Sequence, residues 1–87
     1  MNYLADTITI VRHFSGAGRI GRAARVVLEG VERGENDLFL SSISLVEILY
    51  PEIFDRLIIS TAQYLGVPLI TSDQGIRESG FVETIWS

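Results

Sequence analysis

The chain has no cysteine and no lysine. The first absence excludes a disulfide framework and a thiolate metal site. The second leaves arginine as the only strong base, with seven arginines against eleven acids and a formal net charge of −4. That balance argues against a general nucleic-acid coat, which carries a basic footprint. It still permits a protein that gathers carboxylates around cations and meets RNA through a few arginines. No apolar run of membrane-spanning length and no signal peptide is visible, so a cytoplasmic protein is expected. No glycine-rich phosphate loop follows a strand, which weakens a nucleotide-binding reading; Gly16-Ala17-Gly18 follows the wrong kind of element. Repeats, linkers and low-complexity segments are also missing. What remains is 87 residues, 47% of them hydrophobic, enough for one small packed domain over residues 1–87.

The most informative stretch is Phe54 to Asp73, FDRLIISTAQYLGVPLITSD. Leu57, Ile58, Thr61, Ala62 and Leu65 fall on one side of a 3.6-residue helix. Asp55 precedes that face, where a carboxylate caps free N–H groups. Gly66 supplies the stop and Val67 to Thr71 reads as a buried strand. In a parallel α/β sheet, a helix that leads into a strand starts at the sheet's carboxyl edge, where ligands bind. Asp55 and Asp73 are therefore expected on one edge.

Taken in order, Asn2 to Ala5 reads as a first strand. Ile8 to Val11 favour strand by propensity, but a break at Asp6-Thr7 that caps a helix from Ile8 to Phe14 is preferred. Arg19 to Arg33 is the clearest helix, with Ile20, Ala23, Ala24, Val27, Leu28 and Val31 at helical spacing and Gly34 after it. Its arginines are expected on a solvated face. Leu38 to Ile43 reads as a second buried strand. Ser44 and Glu47 then form a Ser-x-x-Glu capping box. Pro51 cannot continue a regular helix without a kink. Beyond Asp73, a turn or two of helix over Gln74 to Ser79 and a last strand within Phe81 to Trp86 are expected. His13 stands alone and is assigned to packing or surface.

Asp6 ends strand one, Glu47 follows strand two, Asp55 opens a helix and Asp73 follows the next strand. Each has an ordinary capping or turn role. All four nevertheless fall at one sheet edge in a parallel topology with right-handed crossovers. Clustered carboxylates repel, and they persist mainly where a cation compensates them. Oxygen-only ligation suits Mg²⁺ or Mn²⁺, which orient and activate water against a phosphodiester.

At these residues the chain resembles the PIN domain, in the form found in VapC-type toxins of type II toxin–antitoxin modules. YLADT, ISLVEILY, FDRLIISTA with PLITSD, and VETIW carry the resemblance in order along nearly the whole chain. The resemblance implies a three-layer α/β fold with a central, mostly parallel sheet of about four strands. It implies a Mg²⁺- or Mn²⁺-dependent endoribonuclease inhibited by a cognate antitoxin. By motif position Asp6, Glu47, Asp55 and Asp73 look like the catalytic, metal-binding quartet. Thr7 looks like its polar companion, and Arg56 is a candidate to hold substrate or pair with a quartet acid.

The chain departs from the family between Tyr50 and Pro51, where relatives carry further helices and an edge strand. Three routes then lie open for the quartet. One kinked helix from Ser44 to Ala62 would hold Asp55 about 12 Å from Glu47 along its axis, too far to share an ion. A break at Pro51 would let five extended residues return roughly 15 Å to the edge. Exchange of a long helix with a second copy would form the quartet between chains. Apolar faces left uncovered favour a homodimer. The rival class is a PIN remnant that cuts nothing and serves as an antitoxin-binding or dimerising module.

Overall fold

The computed structural model describes residues 1–16, 18–40 and 49–87. Strand β1 (Asn2–Ala5) is followed by α1 (Thr7–Ser15) and α2 (Arg22–Glu32), then β2 (Asp37–Leu40). The long helix α3 (Pro51–Leu65) leads into β3 (Leu69–Ile70), α4 (Gln74–Ser79) and β4 (Thr84–Ile85). The strands form one sheet in the order β2-β1-β3-β4, and all three pairings are parallel.

Strand alternation decides which residues meet which helices. Tyr3 and Ala5 of β1 and Ile70 of β3 turn to one face, where they pack with Ile20, Ala24 and Leu28. Leu4 and Leu69 turn to the other, against Ile58 and Ala62 of α3 and Ile76 of α4. The sheet is thus covered on both faces, as parallel sheets require, because β1 and β3 have no polar side to show water. The mixed α/β class with a four-stranded parallel sheet is as expected from the sequence.

Local chemistry places the element ends. The preferred break after β1 is observed: Asp6 is extended (φ −77°, ψ 157°) and caps α1, so the β-branched run Thr7 to Val11 is helical despite its propensity. Helix α2 starts three residues later than its periodicity predicts. Gly21 is extended at the N-cap (φ −61°, ψ 153°) and the Trp86 carbonyl accepts from Ala24 N at 3.0 Å. Ile20 still reaches the core from outside the helix. After α2, Gly34 takes φ 77°, and Gly30 O accepts from the N–H groups of Glu35 and Asn36. This satisfies carbonyls that a helix end otherwise leaves open.

Several expectations need correction. Helix α3 does not begin at Asp55: Pro51 is its first residue, where the missing N–H costs nothing, and Asp55 lies inside the helix. The single kinked helix from Ser44 to Ala62 is interrupted at Tyr50, which is non-helical at φ −141°, ψ 72°, and the extended return over Tyr50 to Phe54 is not formed either, because Pro51 to Phe54 are helical. The second strand is not buried along its length. As an edge strand paired only with β1, β2 leaves Phe39 and Leu40 exposed. Ile43, Ser44 and the capping box with Glu47 lie outside the described residues.

Candidate functional site

The strand order places a switch point at the centre of the sheet. From β1 the chain crosses to β2 on one side, then returns past β1 to β3 on the other. In open parallel sheets the crevice at such a point, at the carboxyl ends of the strands, is where ligands bind. Here the switch point falls between β1 and β3, and the residues that leave those strands are Asp6 and Thr71 to Asp73.

A short chain of hydrogen bonds joins them. Asp6 Oδ1 accepts from Thr9 N at 2.8 Å, the cap of α1. Asp6 Oδ2 accepts from the Thr71 hydroxyl at 3.1 Å. The same hydroxyl oxygen accepts from Asp73 N at 3.2 Å. Asp73 in turn caps α4, its Oδ1 accepting from Ile76 N at 2.9 Å. Thr71 is fully buried at 0% exposure, so its hydroxyl is a fixed link between the end of β1 and the loop after β3. Asp6 and Asp73 are brought to the same edge, as their positions in the sequence imply.

Asp6 is 8% exposed, yet among the described residues no arginine or histidine lies within ion-pair reach of it. A carboxylate so far withdrawn from water ordinarily has a charged partner or a metal ion. Its donors are two neutral groups, one on each oxygen, and each carboxylate oxygen has a second lone pair. Asp73 is exposed at the same edge. The donor chemistry is oxygen only, and Mg²⁺ commonly takes one or two protein carboxylates with water filling the rest. Two carboxylate residues at one edge are the donor type that such a cation takes, though among the described residues they are joined by no third acid.

The other expected site residues stand as follows. Thr7 is the first residue of α1, half-buried beside Asp6 in sequence. Asp55 is half-buried in the first half of α3, and Arg56 beside it is exposed. Because α3 leads directly into β3 through Gly66, it runs back along the sheet, with its Asp55 end towards the carboxyl edge. Glu47 lies outside the described residues. Among the described residues, no three of the His, Asp or Glu side chains converge as a metal-holding group. Thr71 is the residue that sequence reasoning missed. Its β-branch marks it as strand, and its place two residues before Asp73 at a strand end was the signal that its hydroxyl has work at the edge.

His13 Nε2 lies 2.7 Å from Glu32 Oε1 and ties α1 to α2. Comparison with protein-family models, with curated proteins and with solved structures gave no match to this chain.

Proposed function

We propose that this protein is a metal-dependent endoribonuclease of the PIN type, shortened after Tyr50, with its ion site at the β1–β3 switch point. The observation that carries the reading is the Asp6–Thr71–Asp73 link: a buried carboxylate without a charged partner among the described residues, tied through Thr71 to the backbone N–H of a second acidic residue at the carboxyl edge of a parallel sheet.

Asp6 and Asp73 would hold Mg²⁺ or Mn²⁺, with Asp55 and Glu47 completing the carboxylate set that the PIN resemblance implies. The bound ion supplies Lewis acidity and a more acidic water for attack on an RNA phosphodiester. The chain's own part is orientation. Thr9 N and Thr71 Oγ1 fix the two oxygens of Asp6, so that the carboxylate is set before an ion arrives. Thr71 also holds the backbone of Asp73, which keeps that loop against β1. Thr7, at the start of α1, stands as the polar companion, and Arg56, exposed on α3, is suited to an RNA phosphate.

The proposed partners are an RNA substrate, a cognate antitoxin that covers the carboxyl edge, and a second copy of the chain. The proposed compartment is the cytoplasm; among the described residues no helix is long and apolar enough to cross a membrane. A second reading, a PIN-derived module that binds an antitoxin without cutting RNA, draws on the absence of a three-acid group among the described residues.

RNA cleavage decides between them. Purified protein should cut single-stranded RNA in Mn²⁺, lose activity in EDTA, and lose it again in Asp6→Asn and Asp73→Asn. Intact RNA under all metal conditions, from a protein that still binds Mn²⁺, would favour the binding module.

A further inference from the structure

Charge is spread unevenly along the chain. Residues 7–28 hold four of the seven arginines and no acid, while the rest of the chain carries the other three arginines and all eleven acids. A protein with a net charge of −4 thus has one basic segment, the local footprint to which a phosphate backbone is drawn. Arg12, Arg19, Arg22 and Arg25 are all exposed, and among the described residues none of them is in an ion pair. Arg33, at the far end of α2, is by contrast held by Glu35.

The fold carries this segment to the candidate site. Helix α2 leads into β2, so its start lies at the carboxyl edge of the sheet. There the Gly21 backbone packs directly against the Trp86 carbonyl, which accepts from Ala24 N at 3.0 Å. The β3–β4 register, continued by one residue, sets Trp86 beside Thr71, and Thr71 N donates to Ile85 O at 3.3 Å. Thr71 is the residue that links Asp6 to Asp73. One strand spacing and the short steps from Trp86 to Arg22 put Arg22 within roughly 12 Å of that link. From the other face of the sheet, Arg77 of α4 donates through Nη2 to Ser87 Oγ at 3.0 Å. It opens on a cavity of about 340 Å³ shared with Gln74, Glu78 and Thr84, where Glu78 is already taken by Gln74 Nε2 at 2.7 Å.

We infer that Arg19 and Arg22 on one side of Trp86 and Ser87, and Arg77 on the other, hold the backbone of single-stranded RNA and lead it to the carboxylates at the ends of β1 and β3. The inference rests on the nuclease reading for its ligand class and adds the residues that hold the strand. Guanidinium forks match phosphate oxygens. Several arginines spaced along one edge suit an anion that repeats, as a nucleic-acid backbone does. Contacts of this kind position the strand and carry no sequence preference of their own.

Binding measured without metal tests this apart from cleavage. Fluorescein-labelled oligouridylate is titrated with the protein in EDTA and followed by anisotropy at several salt concentrations. The wild type should bind, with affinity falling steeply as salt rises. Arg19→Gln combined with Arg22→Gln should weaken binding at least tenfold and lower the slope of log K against log salt by roughly 1.4, the loss of two phosphate contacts. Arg77→Gln should weaken it several-fold, and Arg33→Gln should leave it unchanged. Emission from Trp86, the single tryptophan, checks that each variant is folded. No binding by the wild type, equal loss in Arg33→Gln, or displacement of the RNA by polyglutamate of the same length would overturn the inference. So would RNA cleaved in Mn²⁺ as fast by the double variant as by the wild type at low RNA concentration, a result that leaves the nuclease reading in place. RNA that is bound through these arginines but never cut would support the inference and remove the nuclease reading.

Discussion

At the scale of single residues, Thr71 and Gly21 are the two positions where an atom decides the local arrangement. The Thr71 hydroxyl donates to Asp6 and accepts from Asp73 N within a fully buried site. Thr71→Val keeps the shape and removes both bonds, leaving one buried acceptor and one partly buried donor short of a partner. Chemical denaturation should show a loss of about 1–3 kcal/mol, while Thr71→Ser stays close to wild type. Gly21 is a different constraint, because a Cβ there would overlap the carbonyl of Trp86, which caps α2 through Ala24 N. Gly21→Ala should therefore cost about 1–3 kcal/mol and displace the last residues, seen as a change in Trp86 fluorescence.

At the scale of elements, caps and glycines account for what could be read in advance. Asp6, Gly66 and Asp73 each perform the local role that their residue type and place suggest. Asp73→Ala should destabilise the chain by about 1 kcal/mol through loss of the α4 cap. Asp55 misled, because an acid ahead of an apolar helical face resembles a cap, whereas Pro51 starts the helix a turn earlier. The burial of β2 was also misjudged. LFLSSI has the composition of an inner strand, and composition says nothing of which strand lies at an edge. Thr71 was hidden for a related reason: its partner Asp6 is 65 residues away in the chain.

The α2–β2 turn carries a pH signature of its own. Arg33 donates to Glu35 Oε2 through Nε at 3.2 Å and Nη2 at 3.0 Å. That hydrogen bond, and then the guanidinium charge, hold the Glu35 carboxyl below the usual glutamate value and the Arg33 guanidinium above its own. The stabilisation is present above the unfolded glutamate value and is lost as pH falls through the lower, folded one. Both side chains are exposed to solvent, so the effect on stability is small. A carboxyl-carbon NMR titration should place the Glu35 midpoint below the ordinary glutamate value, and Arg33→Ala should return it there.

At the scale of the whole molecule, a sheet in the order β2-β1-β3-β4 makes β1 and β3 the inner strands and their carboxyl ends the meeting point of chain segments far apart in sequence. Strand type and parallel class were legible from hydrophobic runs and from strands alternating with helices. The convergence of Asp6 and Asp73 followed from topology alone. The exposure of Ile53, Leu57 and Tyr64 on the far side of α3 was not legible, since periodicity marks only the face that meets the sheet. The account rests on the switch-point acids being an ion site. A Mn²⁺ titration followed by water-proton relaxation tests that without reference to catalysis. Asn keeps the helix cap but its NH₂ group cannot accept from Thr71 as Oδ2 does, so Asp6→Asn is compared with Thr71→Val, which loses the same bond and keeps the charge. The account predicts saturable Mn²⁺ binding by the wild type, weakened at least tenfold in Asp6→Asn. No binding by the wild type, or equal binding by a folded Asp6→Asn, would contradict it.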